Sequence, residues 1–210
     1  MERVVVSTPK SGRTWFRLFM QVYADLAKIE VPDIVWAHDD WGKPDKRIIL
    51  LRDERDLLVS YYFQTTIRQA KHKRLDISMS EFIRHPEFGL PAINEFIERW
   101  MRYPGDQMVI RYEDLFEPIW ELILEYFEIP IKRDCIAEAD ETCKFDNIKN
   151  NLWGFNKLRD NWRYLAMEDG RPTMNPKNPE AHKFRRGKVG GYVDYLNEDD
   201  INYINQERIG

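Results

Sequence analysis

The sequence predicts an α/β fold with a central, mostly parallel sheet flanked by helices. Two observations predict this fold. Short, continuous apolar runs typical of buried parallel strands recur along the chain, at residues 3–6, 34–36, 48–51 and 108–110. The segments between them carry apolar residues at helical spacing. At 210 residues, the chain suits a single domain spanning residues 1–210.

The first strand leads into a loop that suits an anion. Residues 7–15 read Ser-Thr-Pro-Lys-Ser-Gly-Arg-Thr-Trp, and helical spacing of apolar residues begins at Trp15. Free backbone N–H groups and the positive end of the helix dipole meet at such a junction. Ser11 and Thr14 supply hydroxyl donors there, and Lys10 supplies a mobile charge. The segment therefore predicts a P-loop-like anion site, although a simple helix-capping turn is an alternative.

Polar residues also follow the next two strands. His38 ends the second strand and Arg52 ends the third. Because ligands of doubly wound sheets bind beyond the carboxyl ends of the strands, we expect Lys10, His38 and Arg52 to share one site. Ser60 follows Arg52 by eight residues, two turns into the next predicted helix. It would either join Arg52 at an anion or serve only as a small packing residue.

The rest of the chain supplies further helices and two basic segments. Ser80 is predicted to cap a short helix, and later helices are predicted at 93–101, at 119–127 and from about 198 onward. The basic run 68–74 is either a solvated helix end or the approach for an acidic acceptor. The polar stretch 169–183 predicts a mobile loop that leads into Arg185, Arg186 and Gly187.

Composition narrows the classes of function. The net charge of −4 and the lack of a long basic tract argue against a general nucleic-acid binder. The two cysteines show neither metal-ligand spacing nor a disulfide framework, as expected of a protein in a reducing cytoplasm. We find no signal peptide and no apolar run of membrane-spanning length, so we predict a cytoplasmic protein without a membrane span.

Four separated motifs together resemble the sulfotransferases that use 3′-phosphoadenosine 5′-phosphosulfate (PAPS). The loop at 9–15 is similar to the family's P-K-S-G-T-T-W element, with Arg13 in place of the usual Thr. Arg52, the pair at 55–56 and Ser60 match the spacing of the second element. Tyr-Glu-Asp-Leu at 112–115 resembles the third, and residues 185–192 resemble the late R-K-G-x-x-G element. The resemblance covers most of the chain in the family's order.

The resemblance implies a role for each matching residue. The 5′-phosphosulfate would be held by residues of the first loop: Lys10, Ser11, Gly12, Arg13, Thr14 and Trp15. The 3′-phosphate would be bound from two sides, by Arg52 and Ser60 and by Arg185, Arg186 and Gly187. Tyr112 and Phe145 would lie near the adenine, and Trp15 would either stack on the base or pack in the core. PAPS would be the donor and adenosine 3′,5′-bisphosphate (PAP) the product.

The chemistry implied is in-line transfer of a sulfuryl group to an acceptor hydroxyl or amine. Lys10 would stabilise charge on the leaving oxygen, and His38 would accept the acceptor's proton. The family's K-x-H element reads Trp-Ala-His here, so its Lys is missing, and Asp39 or Asp40 is an alternative base. His72 is a weaker candidate. The sulfuryl group carries less charge than a phosphoryl group, so no metal is required in principle.

Two other functions and the choice of partners stay open at this point. The chain could bind the nucleotide without turnover, or be an ATP- or GTP-dependent kinase. The kinase alternative lacks a Walker A loop, because no Gly precedes Lys10 at the required position. The expected partner is a small-molecule acceptor of unidentified structure. The family's C-terminal dimer element is not evident after Gly191, so the sequence leaves the oligomeric state open.

Overall fold

Four parallel strands form the central sheet of the protein, which we describe from a computed structural model. The structure describes residues 1–30, 32–38, 44–69, 71–151, 167–168, 171–172, 180 and 187–209. The strands are β1 (Arg3–Ser7), β2 (Ile34–Ala37), β3 (Lys46–Leu51) and β4 (Gln107–Arg111). Their order across the sheet is β2-β1-β3-β4, and every neighbouring pair is parallel. The predicted fold class is confirmed.

Helices follow the strands and cover the sheet. They are α1 (Arg13–Ala27), α2 (Glu54–Phe63), α3 (Met79–Arg84), α4 (Leu90–Met101), α5 (Trp120–Tyr126), α6 (Arg133–Thr142), α7 (Phe145–Asn151) and α8 (Glu198–Glu207). A π-helical segment, Gln64–Arg68, continues α2, and short 3₁₀ turns lie at Lys71–Lys73, Tyr112–Phe116 and Gly191–Asp194. Two-residue strands β5 (Met167–Glu168) and β6 (Arg171–Pro172) pair antiparallel.

The two faces of the sheet bury two separate apolar cores. Successive strand side chains point to opposite faces, so Val5 and Ile48 join one core while Val4 and Ile49 join the other. The first core contains buried residues of α1 and α5, and the second contains residues of α2, α3, α4 and α8. This two-sided burial explains why the strands read as continuous apolar runs.

One predicted helix cap is wrong by two residues. Ser78, rather than Ser80, caps α3: its hydroxyl accepts a hydrogen bond from Glu81 N, and the Glu81 carboxylate accepts one from Ser78 N in return. Ser80 lies inside the helix, where its hydroxyl donates to Asp200 at 2.7 Å. Both serines fit a capping pattern, but only Ser78 has Glu at the third helical position.

Three further predictions concern membrane-spanning segments, the two cysteines and the loop at residues 169–183. No helix within the described ranges is long and apolar enough to cross a membrane. Cys135 and Cys143 are free thiols, and burial raises the pKa of the Cys143 thiol. Most of the stretch predicted as a mobile loop, 169–183, lies outside the described residues.

Candidate functional site

A cavity of ≈ 200 Å³ opens at the carboxyl ends of the strands. Each of the four strands delivers a lining residue just after it ends: Lys10 after β1, His38 after β2, Arg52 after β3 and Tyr112 after β4. The described residues that line it are Pro9, Lys10, Gly12, Arg13, Thr14, Trp15, His38, Arg52, Asp56, Ser60, Gln64, Arg68, Tyr112, Phe116, Phe145, Ile148, Gly187, Lys188 and Gly191. The cavity therefore lies where doubly wound sheets bind ligands.

The loop after β1 turns sharply to reach the start of α1. Lys10 and Gly12 both have left-handed backbones, with φ of +73° and +90°. Arg52 Nη1 donates to the carbonyl of Lys10 at 3.0 Å, which ties this loop to the end of β3. The hydroxyls of Thr8 and Ser11 lie 2.5 Å apart in the interior. Ser11 is fully buried and does not line the cavity, so its hydroxyl braces the loop from behind.

Tyr112 forms a platform beneath this loop. A Cβ atom added at Gly12 would lie only 2.2 Å from Tyr112 Cδ2, so the loop backbone rests directly on the ring. The Arg52 guanidinium lies over the same ring, with its Cζ 4.5 Å from the centroid. Burial raises the pKa of the Tyr112 hydroxyl, which is therefore a neutral group at physiological pH. One aromatic ring thus holds both the loop and its neighbouring cation.

Trp15 lies between the cavity and the protein interior. Its indole Nε1 donates to the carbonyl of Cys143 at 2.6 Å, and its ring packs against Phe116 with centroids 4.9 Å apart. The same side chain lines the cavity. The side chain is half-buried, so it both packs against its neighbours and forms part of the cavity wall.

His38 has a defined tautomer. Its Nδ1 lies 2.8 Å from the carbonyl oxygen of Ser7, which can only accept, so Nδ1 carries the proton. Its Nε2 is in hydrogen-bond contact with Nη2 of Arg13, which can only donate, so Nε2 presents a lone pair. The register that pairs Val6 with Ala37 places His38 beside the end of β1. In this tautomer the Nε2 lone pair faces the guanidinium of Arg13.

Helix α2 presents a polar stripe to the cavity. Asp56, Ser60, Gln64 and Arg68 follow one another at intervals of four residues along α2 and its π-helical continuation, and all four line the cavity. The Asp56 carboxylate accepts hydrogen bonds from the backbone N–H groups of Gly190, at 2.7 Å, and Tyr192, at 2.9 Å. The stripe therefore also anchors to α2 the loop at residues 187–192, which we call the late glycine-rich loop.

The start of α2 is fixed by an ion pair next to Arg52. The Asp53 carboxylate caps the helix by accepting from Arg55 N at 3.0 Å, and it also pairs with the Arg55 guanidinium. Burial alone would raise the pKa of Asp53, but the hydrogen bonds and charge of Arg55 outweigh it and hold the pKa below its usual value. Asp53 N in turn donates to Glu113 Oε1 at 3.1 Å. These contacts fix the backbone from which Arg52 projects.

A second glycine contact closes the far side of the cavity. A Cβ atom at Gly187 would lie 2.3 Å from the Phe145 ring, and the glycine has a left-handed backbone with φ of +58°. Phe145 begins α7. Arg185 and Arg186, predicted to act with Gly187, lie outside the described residues, as do the alternative bases Asp39 and Asp40.

The polar lining suits an anionic ligand. Buried Arg52 Nε has no hydrogen-bond partner among the described residues, a costly state that an anion at this edge of the cavity would relieve. Lysine, arginine and hydroxyl groups surround it, whereas Asp56, the acidic side chain among the described lining residues, is engaged with the glycine-rich loop. Within the described ranges, no group of His, Cys, Asp or Glu side chains could hold a metal ion.

Comparison with known families gives a direct result. The sulfotransferase domain model matches residues 40–207 of the chain. This chain belongs to the sulfotransferase domain family. The match confirms the family predicted from the motifs. It begins after the loop at residues 9–15, so the first motif is supported by the fold and not by this match. No curated protein sequence gives a match to this sulfotransferase domain.

Solved structures share its fold at low identity. Mouse sulfotransferase SULT7A1 complexed with PAP is 15% identical, with a TM-score of 0.70, and the alignment covers 98% of this chain and 81% of that one. Retinol dehydratase complexed with androsterone and the inactive cofactor PAP is 17% identical, with a TM-score of 0.63 and coverage of 98% and 78%. Retinol dehydratase complexed with retinol and PAP is also 17% identical, with a TM-score of 0.65 and coverage of 98% and 79%.

Sequence reasoning missed several residues of the sulfotransferase cavity. The cavity brings together Lys10, Gly12, Arg13, Thr14, Trp15, His38, Arg52, Ser60, Tyr112, Phe145 and Gly187 of the predicted set. It also contains Gln64 and Phe116, which no motif indicated, and Asp56, whose part in anchoring a loop was not foreseen. The interval of four residues linking Asp56, Ser60 and Gln64 is the signal that could have found two of them. His72 is exposed and does not line the cavity.

Proposed function

We propose that this sulfotransferase domain transfers the sulfuryl group of PAPS to a hydroxyl or amine of a small-molecule acceptor and releases PAP. The observation that carries the proposal is the convergence of Lys10, Arg52 and Ser60, from three separated segments, on one cavity that is rich in cations. The family membership and the shared fold support the same reaction.

The described residues fit a bisphosphorylated nucleotide. The backbones of Gly12 and Gly187 pack directly against the rings of Tyr112 and Phe145, which brings both loops to the wall of the cavity. Arg52 Nε, which has no hydrogen-bond partner within the described part of the chain, provides a buried donor for a phosphate oxygen. Aromatic side chains at Tyr112 and Phe145 provide apolar surface for a base.

Residues of the first loop would bind the 5′-phosphosulfate. Backbone N–H groups at the start of α1 and the Thr14 hydroxyl would donate to its oxygens. Lys10 would stabilise negative charge on the oxygen between phosphorus and sulfur, which grows as the bond to sulfur breaks. Ser11 would act through its backbone and by bracing Thr8, because its hydroxyl is turned away from the cavity. PAPS supplies an activated sulfuryl group for in-line displacement.

The 3′-phosphate would be bound between α2 and the late glycine-rich loop. Arg52 and Ser60 would contact it from the α2 side, with Gly187, Arg185 and Arg186 on the other side. The hydrogen bonds from Gly190 and Tyr192 to Asp56 support this arrangement, because they hold the late loop against α2. The adenine would lie near Phe145 and Tyr112, with Trp15 at the wall.

His38 would accept the acceptor's proton through Nε2. The hydrogen bond from Nδ1 to the Ser7 carbonyl fixes the tautomer that leaves a lone pair on Nε2. Arg13 occupies that lone pair in this structure, so its guanidinium has to move before His38 can act. Phosphosulfate bound at the loop is the anion that would draw it away. Asp39 or Asp40 remains the alternative base.

We also propose the coarser properties expected from the sequence: one domain spanning residues 1–210, a cytoplasmic location, and transfer that requires no metal. Each has a direct test, and addition of chelator to the transfer assay tests the last.

The test of the function is transfer of ³⁵S from labelled PAPS to a panel of phenols, sugars and lipids. We expect labelled product and an equal amount of PAP. Lys10→Ala should abolish transfer while weakening PAP binding only moderately, because the Lys10 charge is needed most as the bond to sulfur breaks. Tight PAP binding without turnover on any acceptor would instead indicate a catalytically silent domain. Unchanged turnover in Lys10→Ala would remove Lys10 from the mechanism.

A further inference from the structure

We propose that the side-chain amide of Gln64 binds the acceptor, which carries a neutral hydrogen-bonding group (a hydroxyl or a carboxamide) in addition to the group that receives the sulfuryl. This inference rests on the proposed function, because it describes the acceptor of that reaction. Gln64 lines the cavity, and none of the contacts assigned to the donor uses it.

The backbone of Gln64 is fixed one helical turn beyond Ser60. Its N–H donates to the Ser60 carbonyl, and its own carbonyl accepts from Gln69 N at 2.9 Å, the five-residue spacing of a π-helix. At about 1.5 Å per residue, four residues advance an α-helix by roughly 6 Å. Side chains at this spacing lie on the same face of a helix, so Gln64 extends the cavity wall beyond Ser60.

Two threonines stabilise the π-helical turn that begins at Gln64. The Thr65 hydroxyl shares its proton between the carbonyls of Tyr61, at 3.1 Å, and Tyr62, at 3.0 Å, and the Thr66 hydroxyl donates to the Tyr62 carbonyl at 2.8 Å. π-Helical turns that continue α-helices are rare and occur frequently at functional sites. The side chain of Gln64 therefore projects from a backbone that is held in place rather than from a frayed helix end.

The side-chain amide of Gln64 selects for a neutral polar partner. It is half-buried in the cavity wall, and no described residue forms a hydrogen bond with it. An amide donates and accepts at once, whereas a phosphate oxygen only accepts and would leave the Gln64 oxygen beside an anion. A hydrocarbon surface would take water from the amide without replacing its hydrogen bonds, which is costly. A hydroxyl or a carboxamide, which also donates and accepts, matches it.

The acceptor is the reactant that would lie beside this amide. Lys10, Arg52 and Ser60 are assigned to the two ends of the donor, whereas His38, the proposed base, lines the cavity from the end of β2. An acceptor whose reacting hydroxyl or amine meets His38 shares this cavity with Gln64. The amide therefore provides a polar contact for the rest of the acceptor.

The experiment measures binding of matched phenols to the protein saturated with PAP, so that the donor's contacts are filled. Resorcinol is compared with 3-methylphenol, hydroquinone with 4-methylphenol, and 4-hydroxybenzamide with 4-isopropylphenol, so that an apolar group of similar size replaces the polar one. We expect the polar member to bind about 10-fold more tightly in the hydroxyl pairs, the carboxamide pair or both, because its partner leaves the amide unpaired. The two kinds of pair distinguish the hydroxyl from the carboxamide.

Variants assign the preference to Gln64. Gln64→Leu, which keeps the size of the side chain without its amide, should reverse the preference toward the apolar member of each pair and leave PAP affinity unchanged. Gln64→Asn, with a shorter amide, should retain part of the preference. Gln69→Leu makes the same change at a residue outside the described cavity lining and should keep the preference.

The outcomes separate the inference from the proposed function. Binding of no probe, equal binding of the two members in every pair, or a preference that survives Gln64→Leu overturns the inference. Weaker PAP binding in Gln64→Leu also overturns it, by placing Gln64 in the donor site, and so does an equal loss of preference in Gln69→Leu. Failure of the wild-type protein to bind PAP would instead overturn the proposed function.

Discussion

The backbone at Gly12 is the tightest point of the loop that we assign to the phosphosulfate. It has a left-handed conformation with φ of +90°, and the Tyr112 ring occupies the space where a side chain would begin. Any L-residue here meets both backbone strain and a steric clash. The position of the loop therefore depends on the absence of a single methyl group.

Gly12→Ala should destabilise the protein by about 2 kcal/mol or more and strongly weaken PAP binding, because the loop must lift off Tyr112. Thermal unfolding and calorimetry with PAP measure the two effects. Gly105→Ala is the matched control: Gly105 also has a positive φ, of +129°, but no atom of the described residues lies within 4 Å of its Cβ position. Equal effects of the two substitutions would contradict the contact with Tyr112.

We propose that the imidazole of His38 accepts the acceptor's proton and does not bind the nucleotide. His38→Ala should therefore lower the rate of transfer by about 10²–10⁴-fold, the usual worth of a general base, while PAP affinity stays the same. His72→Ala should leave the rate unchanged, because His72 is exposed and lies outside the cavity lining. An undiminished rate in His38→Ala would assign proton acceptance to another group, with Asp39 and Asp40 the first to examine.

The sequence predicted which single residues line the cavity where those residues belong to a recognisable motif. Lys10, Arg52, Ser60 and Gly187 fall into this class, and each lines the cavity. The contact between Arg13 and His38 was not predictable, because it joins residues 25 positions apart through the register of β1 and β2. Local spacing carries no information on such a contact.

Among the secondary-structure elements, α2 together with its π-helical continuation contributes Asp56, Ser60, Gln64 and Arg68 to the cavity. Its first turn is capped by Asp53 beside Arg52, and its stripe of polar residues crosses the cavity wall. One of these residues, Asp56, accepts two backbone N–H groups of the late loop. The helix therefore positions the loop that carries Gly187 as well as its own side chains.

Asp56→Ala should release the late loop from α2. Loss of a charged acceptor for two backbone N–H groups should cost about 1–3 kcal/mol of stability and speed hydrogen exchange at Gly190 and Tyr192. PAP affinity should fall with it, since the loop would bind one side of the 3′-phosphate. Asp76→Ala removes an exposed carboxylate and serves as the control. Unchanged exchange at Gly190 would show that other contacts hold the loop.

Elements were predicted best where burial on both faces leaves a continuous apolar run. All four central strands were located within one or two residues of their observed bounds. The cap of α3 was misplaced, because Ser78 and Ser80 are both acceptable caps and only the reciprocal bond with Glu81 decides between them. The π-helical segment after α2 was not foreseen, since its apolar pattern does not differ from that of an ordinary helix.

At the scale of the whole molecule, the parallel sheet gathers residues from distant segments at one edge. The order β2-β1-β3-β4 places His38, Lys10, Arg52 and Tyr112 side by side, although 102 positions separate the first from the last of them along the chain (Lys10 to Tyr112, 112 − 10). The alternation of strands and helices predicted this fold class. It could not predict the end of the cavity formed by Gln64 and Arg68, which depends on how α2 continues beyond Ser60.

The buried carboxyl group of Glu54, at the start of α2, makes the stability of the protein depend on pH. Its side chain is 1% exposed, and Arg208 Nη1, near the end of the chain, lies 3.8 Å from its Oε2, beyond hydrogen-bonding distance. Burial raises the pKa of this carboxyl above its ordinary value. The folded state therefore holds the proton more tightly than the unfolded state, and stability is lost as pH rises through the folded pKa.

Glu54→Gln should stabilise the protein near pH 7, by about 1 kcal/mol or more, and change little near pH 4, because glutamine avoids ionisation of a buried group. Urea unfolding at the two pH values measures the difference. Glu81→Gln should have the opposite sign near neutral pH, because the hydrogen bonds from Ser78 lower the pKa of Glu81 and stabilise its ionised form. A loss of stability in Glu54→Gln at neutral pH would show that the ionised carboxylate is well paired.

The central claim is that cations and hydroxyls from separate segments close around one adenosine nucleotide with phosphates at two ends. Titration calorimetry of the folded protein with PAP, and with adenosine 5′-phosphate as the matched ligand lacking the 3′-phosphate, tests it most directly. We predict that PAP binds, and that it does so about 10–100-fold more tightly than adenosine 5′-phosphate, because the second phosphate adds charge-assisted hydrogen bonds from Arg52 and Ser60. No heat with PAP, or equal affinity for the two nucleotides, would contradict the account.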